Sequence, residues 1–232
     1  MGRLTEATNA SFLCRVSEDA AFDPDEWPED ELPPGPLCVY KPVAGERPLY
    51  DFPDGTLARR EVAAYLLSEA TGWSIVPPTV LRDGPFGEGA VQAWMDVDPE
   101  VDVVELIVGS DPRLRPMCVF DLMANNADRK GGHILPLLDG TLRGVDHGIC
   151  FAVEPKLRTV LWGWRGDELS DDELAVARRV ALDLEGALGA ALGELLTRGE
   201  VRATHRRVAA LLKNGRFPEP DPARPAVPWP PF

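Results

Sequence analysis

The chain has 232 residues, 44% of them hydrophobic and 27% charged, which is enough for one sizeable core and too apolar for a disordered segment. Asp and Glu number 38 against 24 Lys and Arg, a net charge of −14 that excludes a general nucleic-acid binder and docking on an anionic membrane through bulk electrostatics. The cysteines at 14, 38, 118 and 150 show no CxxC spacing and the three histidines no zinc pattern. Reduced, buried thiols in a cytoplasmic protein are therefore expected, and no apolar leader or membrane-length run appears.

In chain order, Phe12–Val16 reads as a strand after a small polar turn at Thr8–Ser11. Residues 18–31 carry eight acids and no base among prolines, a solvated loop. Leu37–Lys41 is a second strand ended by Pro42. Residues 56–71 form a helix capped by Asp54 or Thr56 and closed by Gly72. Ile75-Val76, Thr79–Leu81 and Ala90–Met95 read as further strands around an Asp83-Gly84 turn. Beyond them, Val101–Val108 and Pro112–Ala124 read as helices, and Ile134-Leu135, Gly144–Asp146 and Ile149–Phe151 as short strands. Residues 170–197 and 200–213 are helical, the first opening on a Ser170/Glu173 capping box. Seven prolines between Pro218 and Phe232 make an extended tail, open to binding a partner or to disorder.

The segment Asn125–His133 is a dense polar loop between an apolar helix and an apolar strand, where a scaffold presents reactive groups. Thirteen residues later comes Asp146-His147-Gly148. Each alone also fits an ordinary turn. Together they have the spacing of a phosphotransfer loop followed by a metal loop: Asp128 accepts a hydroxyl proton, His133 five places on meets one metal, and Asp146 meets the other. That template also needs a strand-end lysine and a helical glutamate, and Lys41 and Glu61 occupy those places.

These residues resemble the phosphatidylinositol 3-/4-kinase-like superfamily. Asp128-Arg129-x-x-x-His133 followed by Val-Asp146-x-Gly-Ile-Cys-Phe is most similar to type II phosphatidylinositol 4-kinases and HipA-like kinases, and more narrowly to uncharacterised actinobacterial proteins with a PI3/PI4-kinase-like domain. The resemblance covers about residues 1–215. It implies an α+β, two-lobed kinase-like fold: a sheet lobe with one helix at 1–96, a mostly helical lobe at 97–215, and the tail at 216–232. It also implies an ATP-dependent kinase with Mg²⁺ or Mn²⁺. Lys41 would pair with phosphates and Glu61 would orient it. Asp128 and Arg129 would be catalytic, with His133 and Asp146 at the metals. Thr8, Asn9 and Ser11 would form the phosphate loop with Ala10, and Gln92, Trp94 and Met95 the hinge to adenine.

The pattern departs in three ways. His133 stands where asparagine is usual, which favours Mn²⁺ and predicts metal affinity falling below about pH 6.5. The phosphate loop lacks glycine. The acids at 18–31 disfavour a lipid surface, so a protein hydroxyl, its own included, or a small soluble acceptor is expected, without stable membrane anchoring. A pseudokinase that binds nucleotide without transfer, and an adenylyltransferase holding ATP inverted, remain open. Trp162-Gly163-Trp164 reads as packing, and Arg178, Arg179, Arg202, Arg206 and Arg207 as solvated helix faces.

Overall fold

The computed structural model describes residues 2–3, 9–16 and 35–232. The acidic segment 18–31 and Thr8 lie outside these described residues. The architecture is a mixed α+β fold with an N-terminal sheet region and a largely helical C-terminal region.

Five antiparallel strands form the first sheet in the order β1-β2-β3-β5-β4: β1 (Gly2–Arg3), β2 (Phe12–Arg15), β3 (Leu37–Pro42), β4 (Thr79–Gly84) and β5 (Gly87–Ala93). The register sets Lys41 opposite Ala90 and Tyr40 opposite Val91, and β3 buries alternate residues as a half-covered strand should. The hairpin turns later than expected, with β4 running through Asp83-Gly84 and Gly87 taking a left-handed φ of +85°. Tyr40 packs against Gly84 and Gly89 and donates to the Gly87 carbonyl at 2.5 Å, so both glycines make room for its ring. Cys14 and Cys38 face each other across β2 and β3, and all four thiols are free.

Helix α1 (Leu57–Thr71) sits between this sheet and the helical region and is buried on most of its surface. Its C-terminus closes on Gly72 in the left-handed region, as the sequence indicates. Its N-terminus differs from expectation. Thr56 makes no side-chain cap, and the Glu46 carboxylate accepts instead from Leu57 N–H (3.1 Å) and Ala58 N–H (2.8 Å). Ile75 and Val76 are buried but not a strand; Val76 N–H donates to Ser68 Oγ, and Ile75 C=O accepts from Gly144.

The second region holds α2 (Val103–Val108), α3 (Arg115–Ala124), the two-stranded ribbon β6 (Ile134–Pro136) and β7 (Leu142–Gly144), then α4 (Asp171–Leu184), α5 (Ala187–Leu195) and α6 (Arg198–Asn214). The helix expected over 170–197 is two helices. The chain bends at Gly186, and Gly189 comes so close to the Leu184 carbonyl that a Cβ there would sit 1.9 Å from it. Ile149–Phe151 is irregular rather than a strand, because Phe151 is left-handed at φ +67°.

Capping boxes start α4 (Ser170/Glu173) and α6 (Thr197/Glu200). Arg207 is half-buried, and Arg179, though exposed, is also held: they donate to carbonyls at the C-termini of α3 and α1, where cations are favoured. One continuous core joins α1 to α3, α4 and α6 through Leu67, Met117, Phe120, Met123, Val180 and Val208. Trp164 packs into it beside Phe217. Residues 218–232 form no regular element but lie along the body, with Ala226 C=O accepting from Thr159 N–H and Trp162 Nε1. Among the described residues no helix is long and apolar enough to cross a membrane.

Candidate functional site

A cavity of about 320 Å³ opens between β3, the N-terminus of α1, the 125–133 loop and the turn at 146–148. Lys41, Glu61, Asp128, Lys130, His133 and Asp146 line it together with Asn9, Ala10 and Ser11. Residues separated by more than a hundred positions thus share one crevice.

Strand β3 carries Lys41 to the rim, where its ammonium donates to Glu61 Oε1 at 2.5 Å and to Asp146 Oδ1 at 3.1 Å. Burial opposes the lysine's charge, but the two carboxylates outweigh it and hold the group well above its ordinary value. Lys41 in turn keeps Asp146 well below the usual carboxylate range, against the pull of desolvation. The second Glu61 oxygen accepts from His147 N–H at 3.0 Å, which ties α1 to the 146–148 turn. Gly148 permits that approach, since a Cβ there would lie 3.3 Å from Leu57 Cβ. Asp146 itself adopts φ +63°, a left-handed conformation that costs energy for a non-glycine residue and recurs at functional sites.

His133 Nδ1 lies 2.9 Å from the Asp128 carbonyl, so Nδ1 carries the proton and donates. Nε2 is then a bare acceptor, 3.4 Å from Asp146 Oδ2. Burial, only partly opposed by Asp146, pushes the His133 pKa below its ordinary value, which favours the neutral imidazole. Two acceptors facing each other call for a cation between them. The imidazole nitrogen and carboxylate oxygen suit a divalent metal that takes its remaining ligands from water and phosphate oxygens. Among the described residues no group of three or more such side chains converges, so protein ligands alone would not complete a coordination shell. Across the cavity, Lys130 Nζ lies 3.3 Å from Asp128 Oδ2.

Arg129 is not in the crevice. It is fully buried, doubly bonded to Asp121 on α3, and it donates to the His133 and Val145 carbonyls at 3.3 Å each. Its Nη2 also meets His147 Nε2 at 2.6 Å, which makes that nitrogen the acceptor of a neutral imidazole. Burial, then the Arg129 charge, pushes the His147 pKa well down, and among the described residues its Nδ1, beside the Phe120 ring, finds no hydrogen-bond partner. A single guanidinium therefore fixes both loops from behind.

The proposed hinge residues do not line the cavity. Gln92 is buried and donates to Thr79 Oγ1 at 2.9 Å, the Trp94 N–H is taken by the Leu37 carbonyl, and Met95 lies outside the strand. Asn9 and Ser11 do line it, and Asn9 Oδ1 accepts from Arg47 N–H. Sequence reasoning missed Glu46, Asp121 and His147. A signal existed for Asp121, an acid inside an otherwise apolar helix that needs a buried cation.

The fold and site together define a mixed α+β protein whose sheet and helical regions meet at a charged crevice. No known family model matches the chain. It is 43% identical over 268 residues to Protein Rv2133c of Mycobacterium tuberculosis (strain ATCC 25618 / H37Rv), the match spanning 100% of this chain and 91% of that protein. The chain belongs to the family of that protein.

Proposed function

We propose that the protein is an ATP-dependent phosphotransferase of the PI3/PI4-kinase-like type, its two regions acting as the lobes of a kinase-like fold. The observation that carries this reading is Lys41 bridging Glu61 and Asp146 in the crevice that also holds Asp128 and the His133–Asp146 acceptor pair. ATP is the phosphoryl donor, and Mg²⁺ or Mn²⁺ at His133 and Asp146 would neutralise charge on its phosphates.

Lys41 exchanges part of its contact with Asp146 for phosphate oxygens, while Glu61 keeps its ammonium in place. Asp128, held near Lys130, orients the acceptor hydroxyl and takes its proton as the new O–P bond forms. The bond to the leaving β-phosphate oxygen breaks, and ADP departs with that electron pair. The acceptor is a protein hydroxyl, this chain's own included, or a small soluble molecule.

A second reading, nucleotide binding without transfer, draws on His133 standing where asparagine is usual and on the phosphate loop at Asn9–Ser11, which carries no glycine. Incubation with labelled ATP and Mn²⁺ or Mg²⁺, followed by intact-mass analysis, tests both. Phosphate on protein or released ADP supports the first reading. Nucleotide-induced thermal stabilisation without either supports the second, and an added AMP group replaces both with adenylyl transfer.

A further inference from the structure

Beside the crevice runs a second groove of about 460 Å³, which shares Leu49 and Ile149 with it and reaches Ala127, the neighbour of Asp128. Its walls mix Tyr50, Phe52 and Leu157 with Lys156, Arg158 and Arg224, in a chain of net charge −14. Lys156 pairs with Asp51, which also lines the groove, and Arg224 with Asp221, whereas Arg158 has no carboxylate partner among the described residues, which points to an anionic ligand.

Arg158 is the most rigidly placed of the three. Its N–H donates to the Asn126 carbonyl and its own carbonyl accepts from Arg129 N–H, each at 3.0 Å, so its backbone runs clamped along the 125–133 loop. Its Nε donates to the Ala127 carbonyl at 2.7 Å. The two terminal nitrogens make no hydrogen bond among the described residues. A guanidinium held by one hydrogen bond on a backbone clamped by two more, with its fork free, is preorganised for bidentate contact with a carboxylate or phosphate. Lys156 is less available, since it pairs with Asp51 and sits over the Phe52 ring at 5.0 Å. Tyr50, fully exposed, offers an aromatic wall.

We infer that this groove is the acceptor subsite, taking a small soluble acceptor that carries a carboxylate or phosphate on an apolar body, held by Arg158 with its hydroxyl turned toward Asp128. The acceptor role rests on the phosphotransfer reading; the anion subsite itself does not.

The test is calorimetric titration of the full chain, without nucleotide, with phenyl phosphate and with phenol. Phenyl phosphate should bind at least about tenfold more tightly than phenol. Arg158→Gln should remove that advantage, Tyr50→Ser should weaken phenyl phosphate several-fold without disturbing the fold, and Lys41→Met should leave it unchanged, which separates the groove from the crevice. Equal affinity for the two probes, indifference to both groove variants, or loss in Lys41→Met would overturn the subsite. Arg158-dependent sedimentation with phosphatidic acid vesicles that phenyl phosphate does not compete would overturn the soluble acceptor in favour of a lipid. Arg158-dependent binding in a protein with no ATP turnover would overturn the acceptor role alone.

Discussion

Arg129 and Asp121 are 0% and 1% exposed, whereas Lys41 is 20% and its partner Asp146 57% exposed. Both are cation–carboxylate pairs, and both touch the same two loops. The first lies in the helical region, where low dielectric makes each charge dependent on the other. The second spans from sheet to crevice, where water and ligands reach it. On the proposed reading, the difference separates two tasks that phosphotransfer needs: a fixed frame for the loops, and a cation that can change partners.

Breaking the frame should have the largest effect. Asp121→Asn leaves the Arg129 charge buried and unpaired and should cost about 3–5 kcal/mol of stability, read by chemical denaturation; a cost under about 1 kcal/mol would show that the pair does not hold the loops. Lys41→Met removes a partially exposed cation but strands Glu61, so the loss should be smaller, about 1–2 kcal/mol, while ATP affinity falls at least about tenfold in thermal-shift titration. Equal stability losses in the two variants would erase the contrast.

Asp128→Asn sharpens it from the other side: the melting temperature should hold while any phosphoryl transfer drops about a hundredfold or more. His133→Asn replaces nitrogen by oxygen toward Asp146 and should shift support of nucleotide binding from Mn²⁺ to Mg²⁺, measured with each metal in turn.

The smallest effect concerns a buried pair remote from the crevice. Burial would raise the Glu173 pKa, but its bidentate pairing with Arg115 and the Ser170 N–H lower it on balance. A depressed carboxylate stabilises the fold above its ordinary pKa near 4.5 and loses that contribution as pH falls through its folded value. Glu173→Gln, which retains the capping box, should therefore flatten the acid limb of the stability curve below about pH 4.5. An unchanged limb would remove this pair from the account.

Much of this was legible in the chain itself, and the parts that were not share a cause. The strands at Phe12 and Leu37, the helix ending at Gly72 and the Ser170/Glu173 capping box follow from local patterns that burial and hydrogen bonding enforce within a few residues. Lys41, Glu61, Asp128, His133 and Asp146, which a spacing template linked, line one crevice. No local pattern reveals that the Arg129 guanidinium turns inward to Asp121, away from the crevice. The Glu46 cap on α1 and the bend at Gly186 likewise depend on contacts between distant or oddly packed segments. The Trp94 N–H is taken by Leu37 because hydrogen-bond register, not composition, decides which N–H groups remain free.

Gly131 offers a last probe of how the polypeptide's end bears on the crevice. Its N–H donates to the Pro231 carbonyl, and a Cβ there would come within 2.0 Å of the Phe232 ring. Gly131→Ala should lift residues 228–232, seen as faster hydrogen exchange at Gly131 with little change in melting temperature.

The Glu46 carboxylate has a directional consequence. The positive pole of α1, which would otherwise greet an incoming polyanion, is already satisfied from within the molecule. On the proposed phosphotransfer reading, a triphosphate would draw its counter-charge from Lys41 and Lys130 instead, and that asymmetry would set which way round it lies.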